Sequence, residues 1–77
     1  MNRNNNGGTP SLTTREMEIL TYMAYGTSSK EIADELFISL QTVKNHRKNM
    51  LKKMSAKNST ELVRMFIQKV YEQKNDH

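Results

Sequence analysis

Residues 42–53 read TVKNHRKNMLKK, which puts Lys44, Arg47, Lys48, Lys52 and Lys53 beside Asn45, His46 and Asn49 with no carboxylate among them. The chemistry open to these side chains is narrow. An ammonium or guanidinium donates to phosphate oxygens or to guanine O6 and N7, and a carboxamide can bridge adenine N6 and N7. Catalysis is a poor fit. The chain has no cysteine, its histidines are not paired with a nucleophile, and no carboxylates cluster in an apolar setting. A metal site is an equally poor fit, because the only histidine besides His46 is the terminal His77.

A basic side chain is useful to a partner only if something holds it in place. Val43, Met50, Leu51 and Met54 recur through the same stretch at helical spacing. At about 100° per residue they share one side of a helix, while Gln41, Lys44, Asn45, Lys48, Asn49 and Lys52 take the other, with Thr42 at its edge. One face is therefore a core stripe, and the other is polar with no acid. A merely solvated surface normally mixes signs of charge. This pattern suits a helix held by its back and inserted into a nucleic-acid groove. Arg47 points toward the core side and is expected to run its stem along the apolar surface to reach water. His46 borders the stripe, where a structural hydrogen bond is expected of it ahead of the alternative, a phosphate contact.

The elements around this helix announce themselves by their starts. Thr13-Thr14-Arg15-Glu16 and Ser28-Ser29-Lys30-Glu31 are capping boxes, and Asn58-Ser59-Thr60-Glu61 is the asparagine version. The first leads to Met17, Leu20, Met23 and Ala24 and stops at Gly26. The second leads to Ile32, Ala33 and Leu36, and the third to Leu62, Val63, Phe66, Ile67 and Val70. A fourth start, Ser39-Leu40-Gln41-Thr42, has the cap but Thr where the others carry Glu. A carboxylate there would suit the helix dipole but would repel a phosphate. The fold class predicted is all-α, four helices over 14–25, 29–36, 40–54 and 59–73. The second and third are separated by Phe37-Ile38-Ser39, the spacing of a helix-turn-helix, without the glycine such turns often hold. The domain is expected over 11–74, preceded by a disordered polar lead-in or linker at 1–10 and followed by a frayed end at 75–77.

Bulk properties agree. The chain of 77 residues carries a net charge of +4, and between Leu36 and Thr60 there is no Asp or Glu. Segregated positive charge favours a polyanionic partner. The absence of cysteine fits a reducing cytoplasm, and no apolar run is long enough to span a membrane. No cofactor is implied. Single-stranded RNA would want an aromatic stacking platform, which the polar face lacks.

Three segments, LTTREMEIL (12–20), AYGTSSKEIADELFIS (24–39) and TVKNHRKNMLKKM (42–54), resemble in order the LuxR/GerE-type helix-turn-helix domain of bacterial transcription regulators. The resemblance covers Leu12 to Val70. It implies a four-helix domain that binds double-stranded DNA, with its third helix in the major groove and its fourth forming a two-fold dimer contact. By position, Lys44, Asn45 and Lys48 would read bases. Thr42, Ser29 and Lys30 would meet phosphates, as would Lys52 on the same polar face. RNA polymerase is a further partner that such a regulator implies. The sequence departs from the family pattern at Ser29, where Asn is frequent, and at Ser59, where Arg is frequent. A sigma-factor promoter-recognition module shares the EIA…IS…TVK style but not the whole motif run. A basic protein-interaction module is the alternative from a different class.

On the fourth helix, Leu62, Val63, Phe66, Ile67 and Val70 span an arc of about 140°, which Tyr71 extends, with Met65 outside it. That is wider than a core of this size needs. The edge at Val63, Ile67 and Tyr71 is the expected homodimer contact.

Overall fold

The computed structural model describes residues 11–75. The lead-in expected at 1–10 and the last two residues of the frayed end lie outside them. The expected helices are present as α1 (Thr14–Ala24), α2 (Ser29–Leu36), α3 (Leu40–Met54) and α4 (Ser59–Asn75). No strand occurs among the described residues. Thus α1 ends one residue before its expected end, and α4 runs on to Asn75.

The first two starts are built as their sequence dictates. The Thr13 hydroxyl accepts from the Glu16 N–H at 3.1 Å, and the Glu16 carboxylate accepts from the Thr13 N–H at 2.8 Å. Ser28 and Glu31 repeat the pair at 3.2 and 3.0 Å. At α4 the reciprocal bond shifts by one residue. Asn58 Oδ1 accepts from the Glu61 N–H at 2.9 Å, but the Glu61 carboxylate takes the Lys57 N–H at 2.6 Å. Each of these bonds satisfies a donor that a helix start leaves orphaned.

The helix ends differ in the residue that closes them. α1 closes through Gly26 at φ 86, where the missing Cβ makes the left-handed turn cheap. α2 and α3 close through the same turn without glycine, at Phe37 (φ 57) and Ser55 (φ 54). The Ile38 N–H reaches back to the Ala33 carbonyl at 3.0 Å and the Ala56 N–H to Leu51 at 2.9 Å, bonds that satisfy the last carbonyls. Ile38 and Ala56 then pack on the core. These bonds and contacts offset the ~1–2 kcal/mol that the left-handed backbone costs each non-glycine residue.

Seven residues form the buried core: Ile19, Leu20, Ile32, Ala33, Val43, Met50 and Leu62. α3 packs against each of the other helices, whereas α2 and α4 do not touch one another among the described residues. α1 is rotated from its expected setting. Ile19 is fully buried and Met17 is 40% exposed, because the buried arc centres on Glu16, Ile19, Leu20 and Met23.

Glu16 is therefore a carboxylate inside an apolar stripe, and it is 3% exposed. Lys53 of α3 reaches it at 2.8 Å, so this lysine ties α1 to the end of α3 instead of serving the polar face. Burial alone would push the Glu16 pKa up. The Lys53 hydrogen bond and charge, with the Thr13 N–H and hydroxyl, outweigh burial and hold it below the ordinary glutamate value. A carboxylate whose pKa is lower folded than unfolded adds stability above its unfolded pKa, and that stability is lost as pH falls through the folded one. Melting temperature is therefore expected to drop through the acid range in the wild type, and to drop less in Glu16→Gln. Parallel pH profiles for the two proteins would remove Glu16 from this role.

Candidate nucleic-acid interface

α3 is capped by Ser39, whose hydroxyl accepts from the Thr42 N–H at 3.0 Å and shares a hydrogen bond with the Thr42 hydroxyl at 2.8 Å. Its first turn holds no acid, and its last holds Lys52 and Lys53. Val43 and Met50 are fully buried and Leu51 and Met54 pack beside them, so the helix is fixed by its back. Among the base-reading candidates, Lys44, Asn45 and Lys48 are all exposed. Lys52 is exposed on the same side, and Thr42 is half-buried at its edge. Gln41 Nε2 donates to Asn45 Oδ1 at 3.1 Å, one turn along, which presets the amide of a candidate reader. None of these three lysines has an ion-pair partner among the described residues, where the pairs formed are Arg15–Glu18 and Lys53–Glu16. The polar face is thus unneutralised by the protein itself.

Ser29 and Lys30 lie at the start of α2, the end away from the turn into α3. Lys30 is exposed. Ser29 is half-buried, and its hydroxyl accepts a hydrogen bond from Arg47 Nη1. Arg47 does more than snorkel. Its Nη2 also donates to the Ser59 hydroxyl at 2.5 Å, so one guanidinium joins α3 to the starts of α2 and α4. At Ser59, where the sequence resemblance implies that Arg is frequent, the guanidinium present comes from Arg47 of α3. The partners are 18 and 12 positions from Arg47. His46 is half-buried and its side chain makes no hydrogen bond among the described residues, so the structural bond expected of it is not formed.

The dimer candidates lie on the far side of α4. Val63 is half-buried and packed on the core, while Ile67 and Tyr71 are 51% and 67% exposed. Thr60, Val63, Arg64, Ile67, Gln68 and Tyr71 line one shallow, largely apolar surface. Met65, expected outside the apolar arc, is half-buried and lines a second groove with Leu12, Met17 and Phe66. No helix among the described residues is long and apolar enough to cross a membrane.

The sequence of the chain is similar to those of known proteins. Residues 10–66 match the model of the bacterial regulatory proteins of the luxR family. The chain is similar to the transcriptional regulatory protein LiaR of Bacillus subtilis, 49% identical over 51 residues, covering 66% of this chain and 24% of that protein. It is 41% identical over 58 residues to the oxygen regulatory protein NreC of Staphylococcus carnosus, covering 75% and 27%. With the CsgBAC operon transcriptional regulatory protein of Escherichia coli it shares 52% identity over 52 residues, covering 68% and 24%. The chain thus matches about a quarter of the length of each relative.

Proposed function

The chain belongs to the luxR family of bacterial regulatory proteins, and from that premise we propose that it is a transcription regulator's binding domain for specific sequences of double-stranded DNA. One observation carries the reading: α3 is fixed by Val43 and Met50 and presents Lys44, Asn45, Lys48 and Lys52 on an exposed face without an acid. In the mechanism proposed, α3 enters the major groove. Lys44 and Lys48 donate to guanine edges or nearby phosphates, and Asn45 reads an adenine edge. Thr42, Ser29, Lys30 and Lys52 meet phosphates and fix the register, which carries no sequence information itself. The acid-free first turn of α3 lets its backbone approach the strand without repulsion. Two copies would pair through Val63, Ile67 and Tyr71, placing two α3 helices about one DNA turn apart. RNA polymerase is the downstream partner of a regulator acting this way.

Salt tests the electrostatic part. Each phosphate contact releases counterions, so log K should fall with log salt by about 0.9 per contact on duplex DNA. Lys52→Ala is expected to flatten that slope and to weaken all sequences about equally. Fluorescence anisotropy across a salt series measures both. A flat response in the wild type, together with tight binding to one protein, would replace this reading with that of a protein-interaction module.

A further inference from the structure

We propose that Arg47 is a DNA-phosphate contact, held ready by Ser29 and Ser59 at the margin of the groove-facing surface. This rests on the duplex-DNA reading above and extends it to a residue whose apolar-side position had suggested only a stem packed on the core. By helical geometry Arg47 lies about 40° from Val43 and about 60° from Lys44, between the core stripe and the polar face. Its side chain turns toward the start of α2, where Ser29 and exposed Lys30 lie.

The donors there outnumber the acceptors. A guanidinium has five N–H groups and no acceptor. Arg47 uses one for the Ser29 oxygen and one for the Ser59 oxygen. Three N–H groups remain, together with the two serine protons, which have no acceptor among the described residues. The cleft around them is lined by Thr27, Ser28, Ser29, Ser59, Thr60 and Arg47 among others, and by no carboxylate. The two acids of the adjoining first turns are engaged elsewhere. Glu31 accepts from the Ser28 N–H at 3.0 Å and Glu61 from the Lys57 N–H at 2.6 Å. Arg47 has no ion-pair partner among the described residues.

Surplus donors and an unneutralised cation call for a group that is all acceptor and negatively charged. A backbone phosphate is such a group, and a planar guanidinium suits it. Because both serines accept from Arg47, their own protons are left to donate outward, so one fork orients three donor side chains. The hydrogen bonds also remove rotamer freedom that a solvent-exposed arginine would lose on binding.

The test is a salt series on a duplex selected from a random pool by the wild-type protein, with Arg47→Gln, Arg47→Met and Arg47→Lys. Circular dichroism reports whether each variant folds. Arg47→Gln is expected to bind roughly tenfold more weakly and to lose about 0.9 from the salt slope per bound protomer, with base preference unchanged. Arg47→Lys, which keeps the charge, is expected to keep the wild-type slope. A folded neutral variant with the wild-type slope overturns the proposal and makes Arg47 a packing residue, while the DNA reading stands. If neither neutral variant folds, Arg47 is structural and the proposal falls. A flat slope in the wild type removes the DNA reading itself, an outcome distinct from both.

Discussion

Asn45→Ala is expected to weaken binding to the selected DNA site by about 1–3 kcal/mol and to relax preference at one base pair. The basis is the hydrogen-bonding capacity left to the amide. Asn45 is exposed, and its Oδ1 accepts from Gln41 Nε2 at 3.1 Å. A carboxamide oxygen has two lone pairs and the nitrogen two protons, so one acceptor and both donors remain. Bridging an adenine edge takes one of each: a proton to N7 and a lone pair for N6. Gln41 therefore restrains the amide without using up what the base needs. Alanine removes the reader and leaves α3 helical, since its side is not part of the core. Selection from a random pool with wild type and variant measures the effect. The same base preference in both would eliminate Asn45 as a reader and leave Lys44 and Lys48 as the candidates.

The contrast between Asn45 and Arg47 explains which parts of this domain are legible in sequence. Thr13, Ser28, Ser39 and Asn58 cap their helices through bonds that span three residues, so a short string contains the whole device. The faces of α3 are equally local, because helical spacing alone separates Val43 and Met50 from Lys44, Asn45 and Lys48. The Arg47 fork and the Lys53–Glu16 pair join positions 12 to 37 apart, and nothing near either partner encodes the meeting. Glu16 is instructive. Its capping role is local and readable, yet its burial depends on how α1 rolls against α3, which also exchanges Met17 for Ile19 in the core. Phe37 and Ser55 escape for another reason. The left-handed turn is marked in sequence by glycine, and here downstream packing by Ile38 and Ala56 holds it without one.

The same limit applies to α4, whose sequence shows an excess of apolar surface but not which part stays uncovered. In the fold, Leu62 is fully buried and Val63 and Phe66 pack beside the core, while Ile67, Val70 and Tyr71 are 51%, 40% and 67% exposed. Ile67 lies on the surface shared with Val63 and Tyr71, so an aspartate there costs the monomer little and stays hydrated. In a two-fold pair through this surface it would be buried in an apolar setting, where desolvation of the charge opposes contact. If that pairing couples two bound copies, its loss removes the effective-concentration gain of the second half-site, of order a hundredfold. Ile67→Asp is therefore expected to bind a palindromic duplex about a hundredfold more weakly and an isolated half-site nearly as well as wild type. Weak association free in solution is expected from so small a patch, so the comparison is made on DNA. Anisotropy with the two duplexes, alongside a melting curve, provides it. Equal losses on both duplexes would show that the surface acts within one copy, and an unfolded variant would assign Ile67 to the core; either result ends the case for a dimer through α4.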